Sequence, residues 1–583
     1  MADTSKVVAE FFGDESFPIE WESEKEKKLF WVYDDLHCPR PVSPMYMDIA
    51  VWTMTCDHMF RRFGTPFASD WIAKVVNGYL YTAAVPCDPE MAVPAEEFGN
   101  VYYPRVPKVD PDYASKIGAY LGAVLPVYGA NFADWWRERL VPEMRRNLDY
   151  LEEKIDDWEN IPLMDWAVVL EDAVDILDRH WKIHWMLNFS QLSATLALRA
   201  ALEEAAGEIT KRHEEILGRL QNSASDRNWD AIRKLTALKD EVKGDPVLAE
   251  AFKAEVGHDI LAALQATERG RKFLDEGLAS YQREFGWHAV WSHEFIYPSR
   301  FETPEPVLDV IKGYLDSDYN PEPVIAGIAE DLKKASAELL EGIPEGPARD
   351  KLAAANEINL RMAPLTPDHH FYIDQGTHLH VRLVLIRIGQ KLVDMGALEQ
   401  PDDTIMLKYN ELRYLMGDPE NYDAKSIVAK RRAEREEHEK IRPPDFIGTA
   451  TESQLQFPYL NLWGFPEKLQ FDTETKGRVE GLGVSPGVVE GVAKVVFTPA
   501  EFDQVKSGDI LVCQMTNPAW TPLFAMISGI VCDAGGMVAH PAVMAREFGI
   551  PGVTGTGVAT REIKTGDRLR VDGSNGVVEI LGS

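Results

Sequence analysis

The pattern of apolar and polar positions divides the 583-residue chain into stretches of different character. Near the N-terminus, VNGYLYTAAV alternates like a β-strand, and FWVYDDLHCPRPVSPMYM is rich in proline and aromatic residues. From about residue 130 apolar residues recur at helical spacing, and no proline interrupts the chain between Pro162 and Pro246. We therefore predict some β structure followed by several long helices.

The pattern changes twice more towards the C-terminus. A second helical block, broadly residues 305–440, ends in the charge-dense AKRRAEREEHEKIR, which is typical of a solvated helix. Beyond Pro443 and Pro444 no period is sustained, and from residue 479 short β-type runs alternate with glycine-containing turns. We predict a multidomain protein with a mainly helical domain over 1–445, a linker or hinge over 446–478 and a compact domain over 479–583.

Charge and cysteine content narrow the possible partners and compartment. The formal net charge of −33 disfavours nucleic acid and an anionic membrane surface as partners. The five cysteines show no CxxC spacing, which favours reduced thiols over a zinc site. Because the N-terminus lacks a basic segment followed by an apolar core, we expect a cytoplasmic protein.

The most informative segment is GIVCDAGGMVAHPAVMAREFGIPGV, in which a strand runs into Gly535 and Gly536 and then into His540. Pro541 suits the first position of a helix, which would place His540 at the helix cap. A phosphoryl group there would meet the positive end of the helix dipole, and the glycines would allow close main-chain approach. We predict that His540 is a nucleophile that accepts phosphate and then passes it on.

Two further residues are candidates for phosphate binding. Arg546 lies about two turns beyond His540 and could fold back towards the phosphate, and Thr516 could donate a hydroxyl hydrogen bond. A surface arginine and a loop threonine are the alternative interpretations of these residues.

Several motifs carry a resemblance to a known family. GLGVSPGVVEGVAKVV, NPAWTPLF and AGGMVAHPAVMAREFGIPGV resemble the β/β/α swivelling phosphohistidine domain of phosphoenolpyruvate-utilising enzymes, such as phosphoenolpyruvate synthase and pyruvate phosphate dikinase. Relatives usually carry Ser or Thr before the histidine, whereas Ala539 stands here. The resemblance implies that His540 carries the phosphoryl group, without hydroxyl support from position 539.

The first 440 residues resemble the acceptor domain of rifampicin phosphotransferases, in FWVYDDLHCPRPVSPMY, VNGYLY, EFIYPSRFETPEPVLDVIKGYL, DHHFYIDQGTHLHVRLVLIRIG and DDTIMLKYNEL. No GxxxxGK[ST] loop or ATP-grasp region is recognisable. An acceptor domain joined to a phosphohistidine domain is similar to the large catalytic subunit of phenylphosphate synthase and 4-cresol (4-alkylphenol) phosphate synthases. That resemblance implies a phenolic acceptor and a separate ATP-grasp subunit that binds ATP and Mg²⁺ and charges His540.

Two clusters are candidates for the acceptor site. A phenol has a pKa of about 10, so a nearby base need remove its proton only partially. PDHHFYIDQGTHLH supplies Asp368, His369, His370, Asp374, His378 and His380. We predict catalytic roles for His369, His370 and Asp374; structural hydrogen bonding is the main alternative, and no spacing indicates a metal site.

The second cluster lies in FGWHAVWSHEFIYPSR and contains Trp287, His288, His293 and Glu294, which we predict to bind the acceptor. His180 and His184 share a helix face, where core packing is the expected role. Two alternatives stay open: the same chemistry on a rifamycin-like or other hydroxylated acceptor, and a phosphocarrier or regulatory protein without small-molecule turnover.

Overall fold

The computed structural model describes residues 6–35, 37–51, 68, 70–86, 113–287, 289, 293–317, 319–456, 459–460, 465, 468, 477–497, 499–516, 518–536 and 539–582. The chain forms two compact units, each assembled from several segments. The first unit contains Met1–Ala194, His293–Ile296 and Tyr372–Leu455; the second contains Thr195–Ser292, Tyr297–Phe371 and Gln456–Ser583.

Thirteen strands are described, numbered in chain order: β1 Val7–Phe11, β2 Phe30–Tyr33, β3 Asp70–Val76, β4 Tyr79–Val85, β5 Phe446–Thr451, β6 Arg478–Glu480, β7 Leu482–Ser485, β8 Val488–Val495, β9 Ile510–Cys513, β10 Gly529–Cys532, β11 Gly552–Thr554, β12 Arg568–Asp572 and β13 Val577–Gly582.

The α-helices in the described ranges are α1 Glu24–Lys27, α2 Pro44–Tyr46, α3 Tyr113–Trp135, α4 Val141–Asp156, α5 Asp165–Ala206, α6 Lys211–Arg219, α7 Arg227–Gly244, α8 Pro246–Ala251, α9 Gly257–Gln265, α10 Glu268–Lys272, α11 Ala279–Phe285, α12 Glu305–Ser317, α13 Glu322–Leu339, α14 Pro347–Met362, α15 Leu365–His369, α16 His378–Asp394, α17 Tyr409–Gly417, α18 Ala424–His438, α19 His540–Glu547 and α20 Ala559–Glu562. Wider π-helical turns span Met47–Val51, Trp136–Leu140, Phe273–Leu278 and His370–Thr377, and 3-10 turns span Pro401–Met406, Pro499–Gln504 and Pro518–Ala525.

A five-stranded sheet in the order β1-β5-β2-β4-β3 belongs to the first unit. The alternating segment predicted as β forms the β3–β4 hairpin, whose turn residues Asn77 and Gly78 both have positive φ, 47° and 83°. This is the geometry that a tight two-residue hairpin requires. β5 pairs with β1 and β2, so Phe446–Thr451 forms a strand of this sheet, although the sequence suggested a linker there.

Helix α16 is largely buried within the first unit. Its apolar side chains are enclosed on several faces; they are Leu379, Val381, Leu383, Val384, Leu385, Ile388 and Leu392. Arg382 on the same helix donates to the main-chain oxygen of Phe295. The short segment His293–Ile296 is thereby fixed against α16, which positions His293.

An eight-stranded sheet in the order β6-β13-β12-β8-β9-β10-β11-β7 forms the C-terminal part of the second unit. Its central strands β8, β9, β10 and β11 run parallel. Alternate residues of β9 enter different cores: Ile510 and Val512 pack into one, and Leu511 and Cys513 into the other. Burial on both faces explains the continuous apolar runs in the sequence. The predicted fold class, a mainly helical region followed by a C-terminal β domain, is confirmed.

Aromatic rings hold this C-terminal domain against helices of the same unit. Phe548 stacks on Trp229 of α7, with centroids 5.4 Å apart, and on Tyr319, with centroids 6.4 Å apart. Beside them Gly313 of α12 faces Met526: an added Cβ would lie 2.3 Å from its Sδ. We call Trp229, Tyr319 and Gly313 the docking seat.

We expect Gly313→Leu to weaken this packing, because the leucine would occupy the volume of the Met526 side chain. Amide hydrogen exchange in α7 and α19 should become at least about tenfold faster. This corresponds to a decrease of about 1.4 kcal/mol in the free energy of local opening. Met526→Ala should restore slow exchange in the double variant. The control is Gly327→Leu, because no atom lies within 4 Å of a Cβ added at that position. Equal exchange rates in the two glycine variants would contradict the packing of Met526 on the docking seat.

No helix among the described segments is long and apolar enough to cross a membrane.

Candidate functional site

His540 is the first residue of α19, and Ala539, with φ −68° and ψ 154°, is the N-cap. The sequence predicted His540 at the cap and Pro541 at the first helical position, which is wrong by one residue because His540 already has helical geometry. Ala539 makes no side-chain capping bond. The imidazole still lies at the positive end of the helix dipole, where a phosphoryl group is favoured.

The hydroxyl of Thr516 lies 2.8 Å from Nδ1 of His540. Thr516 is fully buried. Phe524 packs edge-on against the imidazole, with centroids 5.9 Å apart and an interplanar angle of 83°. Thr516 was predicted to contact phosphate, and in the structure its hydroxyl contacts Nδ1 of the His540 imidazole.

Gly535 and Gly536 form the turn that leads from β10 towards α19. Gly535 has a φ of 115°, which favours glycine, and an added Cβ would lie 3.2 Å from Cβ of Ala539. Thr554 donates to the Gly535 carbonyl at 2.7 Å, and the Ala539 N–H donates to the Gly536 carbonyl at 3.1 Å. Both glycines therefore lie in a fixed turn that leads to His540, and their predicted phosphate-binding role stays a prediction.

Arg546 and Asp533 are occupied by protein partners. Arg546 Nη1 donates to the main-chain oxygen of Val484 at 3.2 Å, so the structure places it against β7. Asp533 Oδ1 accepts from the main-chain N–H of Thr560 at 3.0 Å and from the Thr556 hydroxyl at 3.3 Å. Burial raises the pKa of Asp533 to about 6.

His369 and His370 lie in the second unit, at the end of α15 and just beyond it. Their ring centroids are 4.1 Å apart, and His369 is buried. The neighbouring Asp368 carboxylate accepts from the main-chain N–H of Arg227 at 2.9 Å. Burial and the nearby Asp368 raise the pKa of Asp226 to about 7. The catalytic roles of both histidines stay predictions.

Trp287 packs on the aromatic residue that follows these histidines. Its ring stacks on Phe371, with centroids 4.7 Å apart and an interplanar angle of 23°, and its indole N–H donates to the Arg283 carbonyl at 3.0 Å. His288, predicted to bind the acceptor with Trp287, lies outside the described residues.

Asp374 is the centre of a histidine cluster in the first unit. Its Oδ1 lies 3.7 Å from Nδ1 of His184 and 3.6 Å from Nε2 of His293. Its main-chain oxygen lies 3.0 Å from Nδ1 of His378. The Trp181 ring packs on His184, with centroids 4.4 Å apart. We call these five residues the Asp374 cluster; of them, the sequence analysis proposed Asp374 and His293 for the site.

Glu294 has a structural explanation. Its carboxylate accepts from the main-chain N–H and the hydroxyl of Ser43, both at 2.6 Å, and from the N–H of Phe295 at 2.7 Å. Ser43 is the N-cap of α2. Burial raises the pKa of Glu294 despite these donors. The predicted acceptor-binding role of Glu294 therefore competes with three bonds that its carboxylate already makes within the protein.

The sequence analysis did not select His378, His184 or Trp181 for the site. One available signal was spacing: Asp374 and His378 are four residues apart, and Trp181 and His184 are three apart, so each pair lies on one helical face. The expected core role fits His180, which is fully buried and bonded through both ring nitrogens.

Burial lowers the pKa of both His180 and His378 to about 3, against 6.5 in the unfolded chain. The unfolded state therefore binds protons below pH 6.5 that the folded state does not, and stability is lost as pH falls. We expect the free energy of unfolding to fall by up to about 1.4 kcal/mol per pH unit for each histidine. Urea unfolding between pH 7.5 and 5 measures this slope, and the slope should be smaller in His180→Gln. An unchanged slope in that variant would contradict the lowered pKa of His180. Exposed His258→Gln is the control.

Two family models match the chain. One, described as PEP-utilising enzyme, mobile domain, covers residues 505–576 and includes His540. The other, described as rifampicin phosphotransferase fourth domain, covers residues 184–362. The first lies in the eight-stranded sheet domain, and the second includes α7 and α12, which contribute to the docking seat.

Curated proteins are similar over different parts of the chain. An uncharacterized phosphotransferase, YvkC of Bacillus subtilis, is 30% identical over 400 residues, 68% of this chain and 47% of the relative. A rifampicin phosphotransferase of Streptomyces sviceus is 28% identical over 407 residues, 68% of this chain and 44% of the relative. A probable phosphoenolpyruvate synthase of Staphylothermus marinus is 50% identical over 108 residues, 18% of this chain and 13% of the relative.

The chain thus spans about half, or less, of the length of these relatives. One segment of the chain therefore matches the mobile domain of PEP-utilising enzymes, and another matches the fourth domain of rifampicin phosphotransferases.

Proposed function

We propose that this chain carries an ATP-derived phosphoryl group on His540 and passes it to the hydroxyl of a phenolic small molecule, such as phenol or 4-cresol, giving an aryl phosphate. The observation that carries the proposal is the position of His540 at the start of α19 with Thr516 on Nδ1. Because Thr516 contacts Nδ1, we assign the phosphoryl group to Nε2, at the positive end of a helix dipole.

The chemistry needs little covalent help from the protein. Phosphoryl transfer depends mainly on positioning and on removal of the acceptor proton as the new P–O bond forms. A phenol, with a pKa of about 10, loses that proton more readily than an aliphatic alcohol. Asp374 and the nearby His184 and His293 supply candidate bases, and the neighbouring Trp181 supplies an aromatic surface.

In this proposal a separate ATP-grasp protein binds ATP and Mg²⁺ and transfers one phosphoryl group of ATP to His540, while water takes up the other, so that AMP and phosphate are released. The resemblance of the sequence to the large catalytic subunit of phenylphosphate synthase supports this assignment. Mg²⁺ would neutralise the nucleotide phosphates in that partner.

An acceptor panel tests the function. Protein phosphorylated by the partner with γ- or β-labelled ATP is offered phenol, 4-cresol, a rifamycin and cyclohexanol, and products are followed by ³¹P NMR. We expect aryl phosphates from the two phenols and none from cyclohexanol. Transfer to the rifamycin alone would identify the other acceptor class, and a stable phosphoprotein with every compound would indicate a phosphocarrier.

A further inference from the structure

The two ring nitrogens of His378 have different environments. Nδ1 lies 3.0 Å from the main-chain oxygen of Asp374. A carbonyl oxygen can only accept, so Nδ1 carries the proton. Burial lowers the pKa of His378 to about 3, so the ring is neutral and Nε2 holds a lone pair. That Nε2 is buried and has no hydrogen-bond partner among the residues that the structure describes.

His180 shows that burial alone does not produce this arrangement. Its Nδ1 lies 2.7 Å from the hydroxyl of Thr377, which itself donates to the Tyr372 carbonyl at 3.0 Å. Nδ1 is therefore the donor, and Nε2 accepts from the side-chain amide of Asn147 at 3.1 Å. His180 has the same lowered pKa of about 3 as His378. Both nitrogens of His180 are satisfied within the unit, whereas His378 lacks one partner.

A second buried polar atom lies close to His378. The Trp181 ring centroid is 5.9 Å from that of His378, and its indole Nε1 also has no hydrogen-bond partner within the described ranges. A buried polar group left without a hydrogen bond destabilises the fold, so a ligand that satisfies both atoms would be favoured. His378 Nε2 needs a hydrogen-bond donor, and Trp181 Nε1 needs a hydrogen-bond acceptor. A hydroxyl group can donate one hydrogen bond and accept another.

Aromatic side chains surround His378 and favour a hydroxyl group carried on an aromatic ring. The ring centroids of Tyr46 and Phe295 each lie 5.9 Å from that of His378, and His293 lies at 5.6 Å. All of these residues belong to the first unit; Tyr46 lies in α2, and the main-chain oxygen of Phe295 accepts from Arg382 of α16. Aromatic surroundings of this kind favour a flat apolar ring over a sugar or a flexible alcohol.

We propose that His378 Nε2 is the base that receives the proton of the acceptor's aromatic hydroxyl, with Trp181 Nε1 donating to the same oxygen. This inference rests on the proposed function and names its acceptor site. When the Nε2–P bond of phosphorylated His540 breaks, its electron pair stays on His540, the phenolic oxygen bonds to phosphorus, and the hydroxyl proton moves to His378. The Asp374 carboxylate favours the resulting imidazolium, and solvent later takes the proton.

Binding to the unphosphorylated chain tests the site without any transfer chemistry. We expect 4-cresol to bind at least about tenfold more tightly than 4-methylanisole, which has the same ring and no hydroxyl proton, measured by calorimetry. His378→Phe keeps an aromatic ring but no acceptor, and should abolish this preference. His380→Phe is the matched control: His380 is buried on the same helix, and both its nitrogens contact Gly376 or Glu152.

The half-reactions separate this proposal from the general function. In His378→Phe, labelling of His540 should proceed at the wild-type rate, while aryl phosphate formation should fall by about 10²–10⁴-fold. Wild-type transfer in that variant, or equal binding of both compounds to the wild-type chain, would overturn the proposal. Failure of the wild-type chain to become labelled would refute the function, whereas the binding preference would still decide the site.

Discussion

A His540→Ala variant is expected to take up no phosphate from ATP, Mg²⁺ and the charging partner, and to form no aryl phosphate. Alanine removes the only nitrogen that the helix start and Thr516 orient for attack on phosphorus. Loss of a nucleophile leaves only background reaction, so the rate should fall by about 10⁴-fold or more. Incorporation of ³²P and ³¹P NMR of the products measure both steps.

The chemical stability of the label provides the internal check. Phosphohistidine is acid-labile and base-stable, which separates it from phosphoserine and phosphothreonine. His258→Ala, at an exposed position of the second unit, should be labelled like the wild-type chain. A base-stable, acid-labile phosphate on the His540→Ala protein would mean that another histidine is the carrier.

Thr516→Val is expected to slow both charging and transfer by about 10–100-fold. Valine has nearly the same shape but lacks the hydroxyl that lies 2.8 Å from Nδ1. A buried hydrogen bond to a reacting group contributes about 1.5–3 kcal/mol, which corresponds to that range. Without it, the imidazole can turn and present either nitrogen. We therefore expect ³¹P NMR of the denatured phosphoprotein to detect phosphate on both Nδ1 and Nε2.

Thr516→Ser supplies the matched comparison, because it keeps the hydroxyl and removes one methyl group. It should retain phosphorylation on Nε2 alone and a rate within a fewfold of the wild-type value. If Thr516→Val is phosphorylated on Nε2 alone and at the wild-type rate, the threonine does not orient His540, and the packing of Phe524 on the ring becomes the alternative cause.

The phosphohistidine region could be predicted because its signals are local. A strand, a glycine turn, a histidine and a proline follow one another within a few residues, and each restricts the backbone directly. The error of one residue at the cap arose because Pro541 is also well suited to the second helical position. The Thr516 contact depends on a loop 24 residues away, so its partner could not be read from spacing.

The acceptor side was less predictable for the same physical reason. Asp374 was selected from a dense run of acidic and histidine residues, but its neighbours His184 and His293 come from distant segments. His378 and His180 cannot be distinguished by sequence, since the difference depends on whether Asn147 and Thr377 reach a ring nitrogen. Strand β5 was likewise missed because its pairing with β1 and β2 spans more than 400 residues.

The rings Trp229, Phe548, Phe524 and His540 form one continuous series of contacts, with centroid separations of 5.4, 5.9 and 5.9 Å. Phosphorylation of His540 can change the affinity of the C-terminal domain for the docking seat. In that case thermodynamic linkage requires that binding of the domain to the docking seat changes the phosphorylation equilibrium of His540 by the same factor. Binding of the C-terminal domain to the docking seat would then alter the phosphoryl-transfer potential of His540. Phosphorylated His540 would be a stronger or weaker phosphoryl donor depending on whether its domain is bound there.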